Sequence, residues 1–325
     1  MGTESQSFPR VSRKLPGDTL DKYTKGEMPK VQDAEPTAPY ALIDLDAIYE
    51  WKSLPGGKLI AIPFGIEARK QSRHDSIRRR IFEAVAEITQ SQELGVSAPE
   101  PNDRARETRD TPTTFLIYNL TDSQRQTLLQ QIVWSSLDIT FRVAPALSLP
   151  NFLFTIAGLS TMSTGLVQNM VQKVWQDDKS QESFQTITQP RNAQEREDNQ
   201  LILKDLIATM KIERLDIRKK GNILTPKFNV YAESARISSD IIWSDVRHFL
   251  ANRSYDTSML GHATIQVTPY DCAICHSADH PRGLCTFPKV PGWNGPTWRA
   301  ETQRNWSEQR VRGREYPRDR REGRL

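Results

Sequence analysis

The clearest chemistry in this 325-residue chain lies near its C-terminus, in Cys272-x2-Cys275-x4-His280-x4-Cys285. Cys-x2-Cys brings two thiolates onto one tight turn. A histidine and a third thiolate return after short loops, which is the donor set of a structural Zn2+ site. So short a segment cannot build an apolar core, and a bound metal would hold it folded. With four protein donors, no position stays open for a catalytic water. His276 is near enough to compete as a ligand, and the spacing favours His280. The protein has only these three cysteines, which argues against a secreted disulfide framework.

The spacing is that of a retroviral-type knuckle, with two departures. Ala273 stands where an aromatic usually follows the first cysteine, and Asp279 stands where glycine usually precedes the histidine. The missing aromatic removes a surface on which a base could stack. The flanking aromatics Tyr270, Phe287, Trp293 and Trp298 could replace it, and Arg282 inside the knuckle is a further candidate contact. Beyond them, residues 299–325 hold nine Arg against five acidic residues, while the preceding 298 residues balance at 35 basic and 35 acidic. The whole net charge of +4 therefore sits in the tail. Guanidinium groups such as Arg299, Arg304, Arg310, Arg312 and Arg314 pair with phosphates and stack on bases. A solubilising terminus would have the same composition. Tail and knuckle together point to RNA or single-stranded DNA.

The elements that must position these groups follow from periodicity. Residues 1–38 are rich in Ser, Pro, Lys and Asp and are expected to be a disordered tail. A small α+β unit is expected over 39–96, with a strand at KLIAIPF after the turn Pro55-Gly56-Gly57 and a helix opened near Asp75. The polar stretch 97–112 suggests a linker. FLIYNL (115–120), a helix capped at Thr121-Asp122, DITFRVAP (138–145), NFLFTIAGL (151–159) and a helix opened by Ser163-Thr164 then give β-α-β-β-α. FNVYAE (228–233) is the expected closing strand, after an insertion. The expected fold class is thus α+β: one RRM-like, ferredoxin-like βαββαβ domain over 113–270, with a C-terminal helix extension. One CCHC zinc knuckle follows at 271–298, and a disordered Arg-rich tail at 299–325.

FLIYNL resembles the first-strand motif of an RNA-recognition-motif domain, and NFLFTIAG its third-strand aromatic motif. That resemblance implies base stacking on Tyr118, Phe152 and Phe154, although the two phenylalanines would serve equally well as core. More broadly, the run from TTFLIYNLTDSQRQTLLQQIVWSS through ITFRV and NFLFTIAG, with CAICHSADHPRGLCTFPKVPGWNGP, resembles the gag-like proteins of fungal retroelements. The resemblance covers about residues 40–297. It implies an RNA-binding, particle-forming protein that associates with itself.

Enzyme classes find little support. Asp-Thr/Ser-Gly, Tyr-x-Asp-Asp and a Gly-rich phosphate loop are all missing. Asp44-x-Asp46 is far more often the pattern of a strand end with exposed carboxylates than of a cation site. No run approaches the roughly 20 apolar residues of a membrane span, and the first eighteen residues lack the apolar core of a secretory signal. The expectation is an intracellular, nuclear or cytoplasmic, non-enzymatic protein that binds neither membrane nor small-molecule substrate. The alternative is a zinc-stabilised protein-interaction module.

Overall fold

The run Leu-Ile-Ala-Ile after Lys58 is apolar at every position, so a strand made of it must be covered on both faces. The structure is a computed structural model that describes residues 22–24, 27–108, 110–187, 193–218, 220–255, 263–266 and 268–297. In it this run is the centre of a sheet. Helix α1 (Leu45–Ser53) comes first, N-capped by the Asp44 carboxylate, which accepts from the Asp46 amide at 2.9 Å. The expected Pro55-Gly56-Gly57 turn then leads into β1 (Gly57–Pro63). Gly56 has φ +69°, and a Cβ there would lie 2.6 Å from Asn119 Cα, so the turn requires glycine.

There follow α2 (His74–Thr89), β2 (Gly95–Ser97), α3 (Asp103–Thr108), β3 (Phe115–Leu120), α4 (Asp122–Gln130), β4 (Val133–Ser135) and β5 (Thr140–Ala144). A Thr121/Gln124 capping box starts α4. The strands form an antiparallel sheet in the order β2-β3-β1-β5-β4. One face, with Leu59, Ala61, Phe115, Ile117 and Phe141, packs on Ile81 and Val85 of α2 and Leu128 of α4. On the other face Leu116 packs against Ile43, Ala47 and Trp51 around α1, and the Trp51 indole donates to Ser97 Oγ at 3.0 Å.

The remaining elements are β6 (Phe152–Ala157), α5 (Thr164–Gln176), α6 (Asp178–Ile187), α7 (Ala193–Thr209), β7 (Lys211–Arg218), β8 (Leu224–Tyr231), α8 (Asp240–Ala251) and β9 (Thr264–Ile265). They build a second antiparallel sheet, β7-β8-β6-β9, whose helices bury Phe154, Ile156, Phe228 and Val230. β1 is the central strand of the first sheet, and β6 is an inner strand of the second.

This corrects the expected single βαββαβ domain over 113–270. Phe115–Leu120 pairs with β1, from the supposed N-terminal unit, through Leu59↔Ile117 and Ile60↔Leu116. Phe152–Ala157 belongs to the other sheet. Alternation identifies a strand without naming its partner, and the apolar β1 run claims the first of these. The closing-strand candidate lies inside the second sheet, flanked by β6 and β7. The stretch 97–112 is not a spacer: it contains α3, whose Ala105 is buried, and links two strands that pair directly. Nor is all of 1–38 free. Tyr23 sits in the first core, and Asp33 pairs with the buried Arg142 of β5 (Nη1–Oδ2 3.0 Å). Residues 1–21 lie outside the described residues.

Trp51→Ala is expected to cost about 3–5 kcal/mol, the usual loss for a buried tryptophan. It should also raise amide exchange at Leu116–Tyr118, where α1 covers β3. Denaturant melts with site-resolved exchange would check this. Unchanged protection at β3 would mean that α1 does not hold that face.

Candidate metal centre

The segment after β9 folds on its own backbone. His276 N–H donates to Cys272 O at 2.7 Å, Cys272 N–H to Ser277 O at 3.1 Å, and Tyr270 N–H to Ala278 O at 2.9 Å. The reversal needs a left-handed residue, and His276 takes that conformation at φ +63°. Both cysteines then face inward. A short 3-10 turn, Arg282–Leu284, returns Cys285 to them.

One ligand atom from each of Cys272, Cys275, His280 and Cys285 lies within 4.8 Å of all the others. Cys275 Sγ is 3.8 Å from Cys285 Sγ and 3.5 Å from His280 Nε2. Zinc–sulfur and zinc–nitrogen bonds of about 2.3 and 2.0–2.1 Å at tetrahedral angles imply edges of roughly 3.8 and 3.6 Å. The three cysteines are buried and unpaired. The tetrad is thus close enough to hold a metal ion, and its donors and spacings are compatible with zinc. His276 stands apart, its Nδ1 accepting from Arg69 Nη2 at 3.0 Å.

The environment of His280 is that of a metal-bound imidazole. Its Nδ1 lies 2.5 Å from Asp279 Oδ1, which leaves Nε2 toward the thiols. Burial works against a charge on this ring. The Asp279 carboxylate and the Cys272 and Cys285 sulfurs outweigh burial and push its pKa up to about 12 when no metal is bound, and a metal at Nε2 would take the place of that proton. Asp279 also accepts from Ser277 Oγ at 2.7 Å and from Tyr231 Oη of β8 at 2.8 Å. Asn229 Nδ2 of β8 donates to the Asp279 carbonyl at 2.7 Å, and Thr155 Oγ1 of β6 donates to Asn229 Oδ1 at 2.7 Å.

The knuckle is therefore docked on the second sheet, where Ala278 packs against Phe152 and Tyr231. Its other side meets the first sheet. Gly65 N–H donates to Ile274 O at 2.9 Å, and Phe64 packs edge-on to Phe287 with centroids 5.0 Å apart. Arg69 pairs with Asp271 at 2.6 Å. Gln32 completes the joint: its amide donates to Ser277 Oγ at 2.8 Å, its carbonyl accepts from Ala278 N–H at 2.7 Å, and its Oε1 accepts from Phe152 N–H at 3.3 Å.

The expected stacking residues are not gathered into a platform. Tyr118 is half-buried in the α1 cluster over Gly95. Phe152 lies under the knuckle, and Phe154 is core, beside Tyr255. Trp293 is wedged against Phe64 and Phe287, and its indole donates to Pro296 O at 3.1 Å. Tyr270 and Arg282 are half-buried, with Lys227 Nζ 5.2 Å above the Tyr270 ring. Trp298, Arg299, Arg304, Arg310, Arg312 and Arg314 lie outside the described residues. Asp44 of the Asp-x-Asp pair serves as a helix cap. Asp279, Tyr231, Asn229 and Gln32 had no place in the expected site. Only the departure from glycine at 279 could have signalled them.

These features define an α+β protein of two antiparallel sheets joined across a Cys3His centre. No protein-family model and no curated protein matches the chain. No helix among the described residues is long and apolar enough to cross a membrane.

One equivalent of zinc is expected by elemental analysis, and Cys275→Ser should abolish its retention. Asp279→Ala should weaken affinity by roughly 10–100-fold, as loss of a carboxylate behind a metal-bound histidine does. His276→Ala should leave the stoichiometry unchanged. Retention by Cys275→Ser together with loss in His276→Ala, in a chelator competition, would reassign the ligands.

Proposed function

We propose that the chain binds single-stranded nucleic acid, RNA or DNA, as a gag-like protein of a fungal retroelement would. In this reading Zn2+ sits in the Cys272, Cys275, His280, Cys285 tetrad, and the two sheets are a tandem of RRM-like units. The observation that carries it is a knuckle-spaced tetrad at metal-binding distances, followed at once by a tail with nine arginines. The sheet orders support it. Counted within each unit, β1, β2, β3, β5 and β6, β7, β8, β9 both run 2-3-1-4, as expected of a βαββαβ module.

The metal would be structural. Four protein donors leave no place for a bound water, so Lewis-acid chemistry at this ion is disfavoured and a non-enzymatic role follows. Reduced, clustered thiols suit an intracellular protein, nuclear or cytoplasmic. Contact with nucleic acid falls to the knuckle rim and the tail, because α1, residues 27–35 and the knuckle occupy the sheet faces away from the helices.

A second reading, self-assembly, has its own observation. Leu45 and Tyr49 are 69% and 66% exposed, one turn apart on the outer side of α1. Apolar pairs of this kind suit protein contact. Light scattering that shows a monomer at high concentration, unchanged by Leu45→Asp, would remove it.

Fluorescence anisotropy with a labelled single-stranded oligonucleotide should show affinity falling steeply with salt. The slope should be about 0.7 per phosphate contact. Truncation after Thr297 should reduce that slope by several contacts and weaken binding by at least ~10-fold at low salt. Binding that is absent, or indifferent to both salt and truncation, would sink the reading.

A further inference from the structure

An edge strand leaves one row of backbone N–H and C=O groups free to pair with another chain, and folds commonly guard against this with short edges. Three edges follow that pattern: β2 and β4 have three residues each, and β9 has two. β7 (Lys211–Arg218) is the exception, with eight residues and no described strand on its outer side. Arg214, Asp216 and Arg218 on it are exposed.

The register with β8 shows which residues of β7 face outward. It runs unbroken from Lys211↔Tyr231 to Arg218↔Leu224. Within it Asp216 faces Pro226, which has no amide hydrogen to exchange. Just past β8, Ala232 N–H turns to the β6 side and donates to Asn151 O at 2.9 Å. Alternation along antiparallel strands then sends the even-numbered amides of β8 toward β6 and the odd-numbered ones toward β7. Ile212, Arg214, Asp216 and Arg218 therefore turn their N–H and C=O groups outward, to the open edge.

In an antiparallel pairing, outward-facing residues must meet outward-facing residues, so two copies of β7 can pair only in certain registers. Centred on Glu213, Arg214 or Asp216, the two strands set like charges face to face. Centred on Ile212 or Ile217, only the strand ends overlap. Centred on Leu215, residues 212–218 overlap, and each Arg214 lies opposite the partner's Asp216. Arg214 already bonds Asp216 of its own strand, Nε to Oδ1 at 2.8 Å, so the four side chains would form a ring of alternating charge. We propose that two copies of this chain join at β7 in this register, extending the second sheet across a two-fold axis. The contact does not depend on the nucleic-acid reading, and its surface is not that of α1.

The test is sedimentation velocity on the full-length, zinc-loaded chain over a concentration series at low salt. Wild type is expected to pass reversibly from monomer to dimer, and Leu45→Asp should leave that passage unchanged. Arg214→Asp and Asp216→Arg each put like charges at both pairs and should weaken the homodimer at least ~10-fold, with circular dichroism unchanged. Mixed one to one, the two variants regain both opposite-charge pairs and should form a heterodimer about as strong as wild type. In wild type alone, amide exchange at Arg214 and Asp216 should slow as concentration rises. A strict monomer, as would result if a segment of the same chain covered this edge, overturns the proposal. So does a dimer that survives both charge reversals, a mixture no tighter than its separate components, or exchange at β7 that ignores concentration.

Discussion

Asp279 accepts hydrogen bonds from the imidazole of a candidate metal ligand, from Ser277 and from Tyr231 of the second sheet, and the seating of the knuckle depends on it. A carboxylate at 8% exposure would be costly without partners, and these three donors satisfy it. Each bond to a charged group contributes about 1.5–3 kcal/mol. Burial, then the Asp279 charge, drives the Tyr231 hydroxyl well above its usual pKa, so it stays a donor at any physiological pH. One aspartate thus orients the histidine for a metal and fastens the metal-binding segment to β8. Glycine at this position would remove the side-chain bonds to His280, Ser277 and Tyr231 and leave the knuckle held by the Asn229 and Gln32 bonds and by its apolar contacts.

The same joint is gripped by the N-terminal segment. Asp33 reaches Arg142 of the first sheet, Gln32 bonds the knuckle and the first residue of β6, and Glu35 pairs with Arg247 of α8. Three neighbouring residues therefore touch both units and the piece between them. Arg142 is 5% exposed, and removing one partner of so buried a pair typically costs 3–5 kcal/mol. The two sheets are coupled by polar groups whose geometry must be met together.

How much of this was legible in the sequence follows from how local each feature is. The tetrad lies within fourteen residues and its spacing states its geometry, so it was fully legible. The alternation of Phe115–Leu120 and the aromatics of Phe152–Ala157 marked strands correctly. Their assignment to different sheets depended on β1, more than fifty residues before β3, and period-two patterning is silent about partners. Composition misled at 97–112, where a helix shows polar residues outward and buries only Ala105. It misled again at 27–38, where side-chain bonds from Gln32 and Asp33 fix a stretch whose residue types are those of a tail. Asp279 was visible as an irregularity, yet its partner Tyr231 lies 48 residues earlier.

Occupied sheet faces limit what the two antiparallel sheets can do. A sheet that leaves one face bare can stack several bases in a row on its central strands. Here Phe152 meets Ala278, Leu116 meets Trp51, and the Arg142 side chain on β5 is held by Asp33. A strand of nucleic acid could stack on these faces only by displacing α1 or the knuckle, and so giving up a buried tryptophan or the bonds around Asp279. Contacts at the perimeter carry no such cost. On the nucleic-acid reading proposed above, contacts would then fall at the perimeter of the sheets and at the knuckle, whose Cys3His cluster lies between the two sheets.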